Sequence, residues 1–243
     1  MKAMILAAGL GTRLRPLTDV TPKALLQAGP YTLLEFAVKK LKNAGFNDLI
    51  INVHHLADMI TDYLRENNNF GCNILISDES EKLIDTGGAI KKAGHFFDDG
   101  KPFIVYNADI VSNIDLAGVY NFHLNSGNHA TLVVRRREST RYLLFDENMQ
   151  LVEWVNKAKG LSRVVHITKK PPMAFAFSGI HVIDPCLLPQ LGDKEVFSII
   201  DSYLDLAKKF RIGGFHDEST LFADAGKPES LKEANEIAAT INL

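Results

Sequence analysis

The sequence predicts an α/β protein: a mixed, mostly parallel sheet flanked by helices, with a β-rich insertion. Three observations carry this. Across residues 1–110, short apolar runs alternate with amphipathic segments, the pattern of strands joined by crossover helices. The first apolar run empties into a small-residue loop, Ala8-Gly9-Leu10-Gly11-Thr12. From residue 129 onward the apolar runs become short and closely spaced, the pattern of strands joined by turns.

Taken in order, residues 3–7 read as the first strand. Residues 33–44 read as a helix, because Leu33, Leu34, Ala37, Val38 and Leu41 fall on one stripe, Glu35 and Lys39 pair four apart, and Gly45 stops the turn. Residues 49–53 read as a strand, 56–66 as a helix and 73–77 as a strand. A helix opens near 87–93, and the strand 103–107 runs toward Asp109. In the second half, 129–135, 142–146 and 151–155 read as strands, the last two forming a hairpin around Glu147-Asn148. Residues 157–172 are polar, basic and proline-marked, so an exposed loop is expected there. A strand at 173–183, a helix at 196–210, a strand at 211–215 and a helix at 228–241 opened by Pro228 complete the chain. The simplest organisation is one domain over 1–243, made of two halves at 1–110 and 111–243.

Composition narrows the partners. Of 243 residues, 46% are hydrophobic, enough for a sizeable core. The net charge of −2 leaves no global basic field for nucleic acid, so any attraction to anions is local. The two cysteines, Cys72 and Cys186, lack metal-ligand spacing and sit beside apolar residues, so both are expected to be buried. No apolar run reaches membrane-spanning length, and the N-terminus does not read as a signal peptide; a cytoplasmic location is expected.

The chemistry is concentrated at residues 4–26. Glycines let backbone approach a ligand and turn N–H groups toward an anion. Arg13, Arg15 and Lys23 beside such a loop point to a polyanion, and a nucleoside triphosphate is the obvious candidate. The commoner phosphate loops do not fit. Leu14 stands where a dinucleotide fingerprint has its third glycine, and Gly11 is followed by Thr12 rather than by Lys-Ser/Thr.

This stretch resembles, nearly residue for residue, the signature of the sugar-1-phosphate nucleotidyltransferases: Leu-Ala-Ala-Gly-x-Gly-Thr-Arg-Leu-x-Pro-Leu-Thr followed by Thr-Pro-Lys. Gly9, Gly11, Thr12, Arg13, Leu14, Pro16, Leu17, Thr18, Thr21, Pro22 and Lys23 all match. The resemblance implies the Rossmann-like nucleotide-diphospho-sugar transferase fold. It also implies an enzyme that joins a nucleoside triphosphate to a sugar 1-phosphate and releases pyrophosphate, with Mg²⁺ as cofactor. Arg13, Lys23 and Asp109 are then the catalytic candidates. Leu6, Ala8, Gly9, Gly11, Thr12, Arg13 and Lys23 would hold the nucleotide, joined by Glu79 near the base edge and by Gly87 and Gly88 near base and ribose.

Two aspartates carry over as metal ligands. Asp109 follows an apolar strand as the family's aspartate does, in Ala108-Asp109 rather than the usual Gly-Asp. Asp224 stands in Phe222-Ala223-Asp224-Ala225-Gly226-Lys227, where relatives carry Trp-x-Asp-x-Gly-Thr. Asp85, Asn107, Ser178 and Gly179 are the sugar-phosphate candidates. Asp85 precedes Thr86-Gly87-Gly88 where relatives usually have glycine, and this acidic residue resembles the branch that uridylylates N-acetylmuramate 1-phosphate. The family's Glu-Lys-Pro sugar triplet has only a partial echo in Lys169-Lys170-Pro171, and Arg135-Arg136-Arg137 is expected to be a solvated turn.

UTP with N-acetylmuramate 1-phosphate is therefore the first expectation for the substrates. Mannose or another hexose 1-phosphate with GTP, phosphocholine with CTP, and a non-catalytic nucleotide-sugar-binding regulator are the alternatives. A single-activity enzyme without a C-terminal β-helix is expected, in an oligomeric state the sequence leaves open.

Overall fold

The first apolar run forms the strand Lys2–Leu6, whose Ala3, Met4 and Ile5 are fully buried. Burial on both faces is the mark of a central parallel strand. The computed structural model describes residues 1–243 and pairs this strand in parallel with two others. Asp48–Val53 lies on one side, with Met4 opposite Ile50, and Phe103–Asn107 on the other, with Leu6 opposite Asn107. Asn73–Asp78 extends the sheet beyond Asp48–Val53. All four strands therefore present their carboxyl ends to one edge. The glycine loop, Glu79 and Asp109 leave from that edge, the usual ligand-binding edge of such sheets.

Local signals explain the helices here. Leu33–Asn43 begins at Thr32, whose Oγ1 accepts a hydrogen bond from the Glu35 amide at 3.0 Å. The Glu35–Lys39 ion pair closes at 3.1 Å, and Gly45 follows with φ +87°. Ala57–Glu66 and Pro228–Ala238 match the expected helices within a few residues at each end, the latter with proline in its first turn. A further feature has no counterpart among the expected elements. The short strands Ile110–Ser112 and Phe222–Asp224 form an antiparallel ribbon, too brief to leave a periodic signal.

Contacts within the chain define two compact units. Met1–Ile84, Phe103–Ala117 and Ser219–Leu243 make up the first; Asp85–Pro102 and Gly118–Glu218 make up the second. The sheet of the second unit runs Ile212–His216, Ala130–Arg135, Met173–Ile183, Arg141–Phe145, Leu151–Asn156, Leu161–Val164. Only the first pair in that order is parallel.

Elsewhere the structure differs from expectation. Residues 157–172 contain the strand Leu161–Val164, paired with Leu151–Asn156 through a turn in which Gly160 has φ +61°. The helix Leu116–Ser126 was not foreseen, because its apolar residues are spread around the axis. Val119 is buried while Leu124 is 54% exposed, so no single stripe marks it. The helix expected at 196–210 is confined to Ile199–Leu206, where Ser198 caps the Ile200 amide at 3.3 Å. Cys72 is buried as expected, but Cys186 is exposed, because it sits in the first turn of a short 3₁₀ segment, Pro185–Gln190.

Candidate active site

The glycine loop is held at its mouth by a buried polar relay. The Ala7 amide donates to Asn52 Oδ1 at 2.8 Å, and Asn52 Nδ2 donates to Glu79 Oε1 at 2.8 Å. Asn52 and Glu79 are 3% and 2% exposed. Glu79, expected at the base edge, thus braces the residue that fixes the loop's first turn. His54 Nδ1 lies 2.6 Å from the Glu79 carbonyl and belongs to the same frame.

Past this anchor, Gly11 adopts φ +61° and its carbonyl accepts from Thr18 Oγ1 at 2.9 Å and from the Leu14 amide at 2.8 Å. A Cβ on Gly11 would stand 2.6 Å from Thr18 Cγ2, so only glycine closes this turn. Leu6 ends the strand and Ala8 is buried beneath the loop, while Gly9 and Thr12 are exposed. Arg15 pairs with Asp19 at 3.1 Å, both well exposed.

Charged groups converge beside this loop. Lys23 lies on the one-turn segment Lys23–Leu25 after Pro22, and its ammonium is paired with the Asp109 carboxylate. Their side chains are 13% and 24% exposed. Asp109 follows the strand Phe103–Asn107, tied back by the Ala108 amide donating to the Leu6 carbonyl at 3.0 Å. The ribbon then delivers Asp224. Asp224 stands opposite Ile110, and the Ala225 amide donates to the Asp109 carbonyl at 2.9 Å. Arg13 completes the group. A Cβ on Gly226 would lie 2.6 Å from Arg13 Nη2 and 2.9 Å from Asp224 Oδ1, so both side chains crowd the space above this glycine. Gly226→Ala is therefore expected to push the Arg13 guanidinium aside. The KM for triphosphate should rise about tenfold with little change in Tm; an unchanged KM in a pyrophosphate-release assay would refute that role.

Asp109 and Asp224 suit a small hard cation. Mg²⁺ takes one or two carboxylates and fills its remaining positions with phosphate oxygens and water. No cluster of three or more His, Cys, Asp or Glu side chains that could hold a metal ion stands in the structure. Such an ion would therefore depend on oxygens brought by the substrate.

The second unit holds the remaining candidates. Asp85 has φ +60°, and its Oδ1 accepts from the Thr86 amide at 2.6 Å. This left-handed conformation explains why relatives favour glycine here and why aspartate, among the side chains that best tolerate it, is an acceptable replacement. The amides of Gly87 and Gly88 donate to the Phe197 carbonyl at 2.9 and 3.4 Å, and both glycines are buried. Both amides are thus hydrogen-bonded within the protein.

Ser178 is 1% exposed and its Oγ has no hydrogen-bond partner. Gly179 has φ +73°, where the strand pairing shifts register between Phe177 and His181. The arginine run is not a solvated turn. Arg135 pairs with the buried Asp217 at 3.2 Å, Arg136 lies over the Phe175 ring, and Arg137 Nη2 donates to the Phe177 carbonyl at 3.1 Å. Sequence reading missed Arg137 because nothing in a basic triplet announces which member turns inward.

The nucleotidyl transferase family model matches residues 2–240. The chain belongs to the nucleotidyl transferase family. N-acetylmuramate alpha-1-phosphate uridylyltransferase of Neisseria meningitidis is 30% identical over 98% of this chain and 98% of its own. The catalytic subunit beta of mannose-1-phosphate guanylyltransferase from Dictyostelium discoideum is 29% identical over 81% of this chain, which spans 55% of that relative. A Bacillus anthracis protein assigned as a glucose-1-phosphate thymidylyltransferase shares the fold, with a TM-score of 0.81, 24% identity, and coverage of 100% of this chain and 97% of its own.

As a nucleotidyltransferase, this chain needs to neutralise anions and align them rather than supply a strong base. Its first unit offers two cations and two carboxylates beside a glycine loop, which suits that task. No helix is long and apolar enough to cross a membrane.

Proposed function

We propose that this enzyme condenses UTP with N-acetylmuramate 1-phosphate to form the nucleoside-diphosphate sugar and pyrophosphate. The observation that carries the chemistry is the meeting of Lys23, Asp109, Arg13 and Asp224 beside the glycine loop. A sugar-phosphate oxygen attacks the α-phosphorus in line, the bond to the bridging oxygen breaks, and pyrophosphate leaves with its electron pair. The attacking oxygen is already ionised, so no general base is required. In this reading Arg13 binds the β- and γ-phosphates through its planar fork, and Lys23 offsets the charge that develops at the α-phosphate. Gly9, Gly11 and Thr12 seat the triphosphate. Asp109 and Asp224 would hold a divalent cation, which when bound would supply Lewis-acid polarisation of the phosphate oxygens. Asp85, Asn107, Ser178 and Gly179 are proposed toward the sugar phosphate.

The choice of substrates rests on the near full-length similarity to the Neisseria uridylyltransferase and on the acidic Asp85 before Thr-Gly-Gly. Similarity to the Dictyostelium guanylyltransferase favours mannose 1-phosphate with GTP as the second reading. A matrix of four triphosphates against N-acetylmuramate 1-phosphate, hexose 1-phosphates and phosphocholine, read by pyrophosphate release, tests both. Highest kcat/KM for UTP with N-acetylmuramate 1-phosphate is expected; preference for another pair replaces that substrate choice. Release without any phosphate acceptor would make the protein a triphosphate hydrolase instead. We place the reaction in the cytoplasm, where such triphosphates are made.

Lys23→Ala is expected to lower kcat by on the order of a hundredfold while leaving the KM for triphosphate within a few-fold, the signature of an interaction formed mainly in the transition state. A rise in KM alone would assign Lys23 to ground-state binding.

A further inference from the structure

The two cations that the proposed mechanism sends to the phosphates stand, in this structure, beside the two carboxylates it sends to the metal. Lys23 Nζ is paired with Asp109 Oδ2, and Arg13 Nη2 shares the space above Gly226 with Asp224 Oδ1. Two cations and two carboxylates thus share the region beside the glycine loop, and Lys23 and Asp109 form an ion pair. An ammonium lodged on a carboxylate uses the lone pairs that a metal ion would take, and its positive charge repels a second cation from the same oxygen pair. Lysine suits such a post. Its charge is a compact point at the end of a flexible four-carbon stem, able to exchange a carboxylate for a phosphate without moving the backbone.

We propose that Lys23 is an internal competitor for the divalent cation. With no metal bound, its ammonium fills the cation position at Asp109. When a metal takes that position, Lys23 is released and becomes available to the α-phosphate. The inference rests on the reading above that Asp109 and Asp224 hold a divalent ion. It adds that the same carboxylate keeps the lysine out of use until the metal is in place. Metal and triphosphate then favour each other's binding, because the phosphate gives the displaced ammonium a second partner.

The test is Mn²⁺ binding without nucleotide, followed by the electron paramagnetic resonance signal of the free ion, so that no turnover is needed. Lys23→Met is expected to bind Mn²⁺ about tenfold more tightly than the unmodified enzyme. Lys23→Arg, which keeps the charge, should stay near the unmodified value. Should Lys23→Met fail to fold, Lys23→Gln carries the same expectation. Asp109→Asn and Asp224→Asn should each weaken Mn²⁺ binding. If they do, yet removal of the Lys23 charge leaves the affinity unchanged or weaker, the competition is overturned and the metal assignment stands. If neither aspartate variant affects Mn²⁺, the metal assignment falls and the competition falls with it.

Discussion

Asp109→Asn is expected to reduce pyrophosphate release by about a thousandfold or more, with Tm lowered by only a few degrees. The substitution is nearly isosteric, so the strand Phe103–Asn107 and the ribbon partner Phe222–Asp224 keep their places. What changes is charge. An amide oxygen is a poor Mg²⁺ ligand beside a carboxylate, and it gives Lys23 a weaker partner. The loss should lie in kcat, because the carboxylate's partner is needed most where charge moves from the α-phosphate to pyrophosphate. Asp224→Asn should behave alike. Activity within tenfold of the unmodified enzyme, in a folded variant, would remove Asp109 from the metal site. A collapsed circular-dichroism spectrum would show instead that the carboxylate is structural.

The second large effect concerns stability and pH. His123 and His181 are 3% and 1% exposed. Burial holds their imidazoles neutral, lowering the pKa from 6.5 to about 4 for His123 and about 3 for His181. His123 Nδ1 meets Thr131 Oγ1 at 2.9 Å, and His181 Nδ1 meets the Tyr203 hydroxyl at 2.5 Å. Both pKa values are depressed in the folded state, so between the folded and unfolded values the unfolded chain binds more protons. The stability associated with these residues is therefore complete above pH 6.5 and is lost as the pH falls toward 4. Each histidine should cost about 2 kcal/mol at pH 5, on the order of 4 kcal/mol together. Urea denaturation at pH 7.5, 6 and 5 measures this. His181→Gln should flatten the dependence by about half; a slope that His181→Gln leaves intact would assign the acid sensitivity to other groups.

Much of the first unit was legible because its signals are local. A buried parallel strand is an apolar run, an N-cap is a Thr three residues before a Glu, and a phosphate loop is a cluster of glycines and cations. Residues 2–6, 33–43, 48–53 and 103–107 are of that kind. Interactions between residues far apart in the chain leave no such local mark. Nothing near Glu79 announces that Asn52 claims its carboxylate, and nothing near Gly87 announces the Phe197 carbonyl. The inward turn of Arg137 depends on a carbonyl forty residues later. The helix Leu116–Ser126 is hidden for a different reason: apolar residues spread around the axis among polar ones carry no period to read.

The ribbon of Ile110–Ser112 with Phe222–Asp224 also sets the order in which the protein can become competent. Its strands are separated by more than a hundred residues, and Asn113 clasps the Leu221 amide at 3.1 Å just beyond it. Pairing across so wide a sequence separation is a non-local contact, formed slowly compared with a helix or a tight hairpin. A nascent chain that has emerged only through residue 218 already carries the glycine loop, both loop cations and Asp109, yet lacks the second carboxylate. Asp109 and Asp224 are therefore brought together late in the life of each molecule, once Phe222–Asp224 has paired.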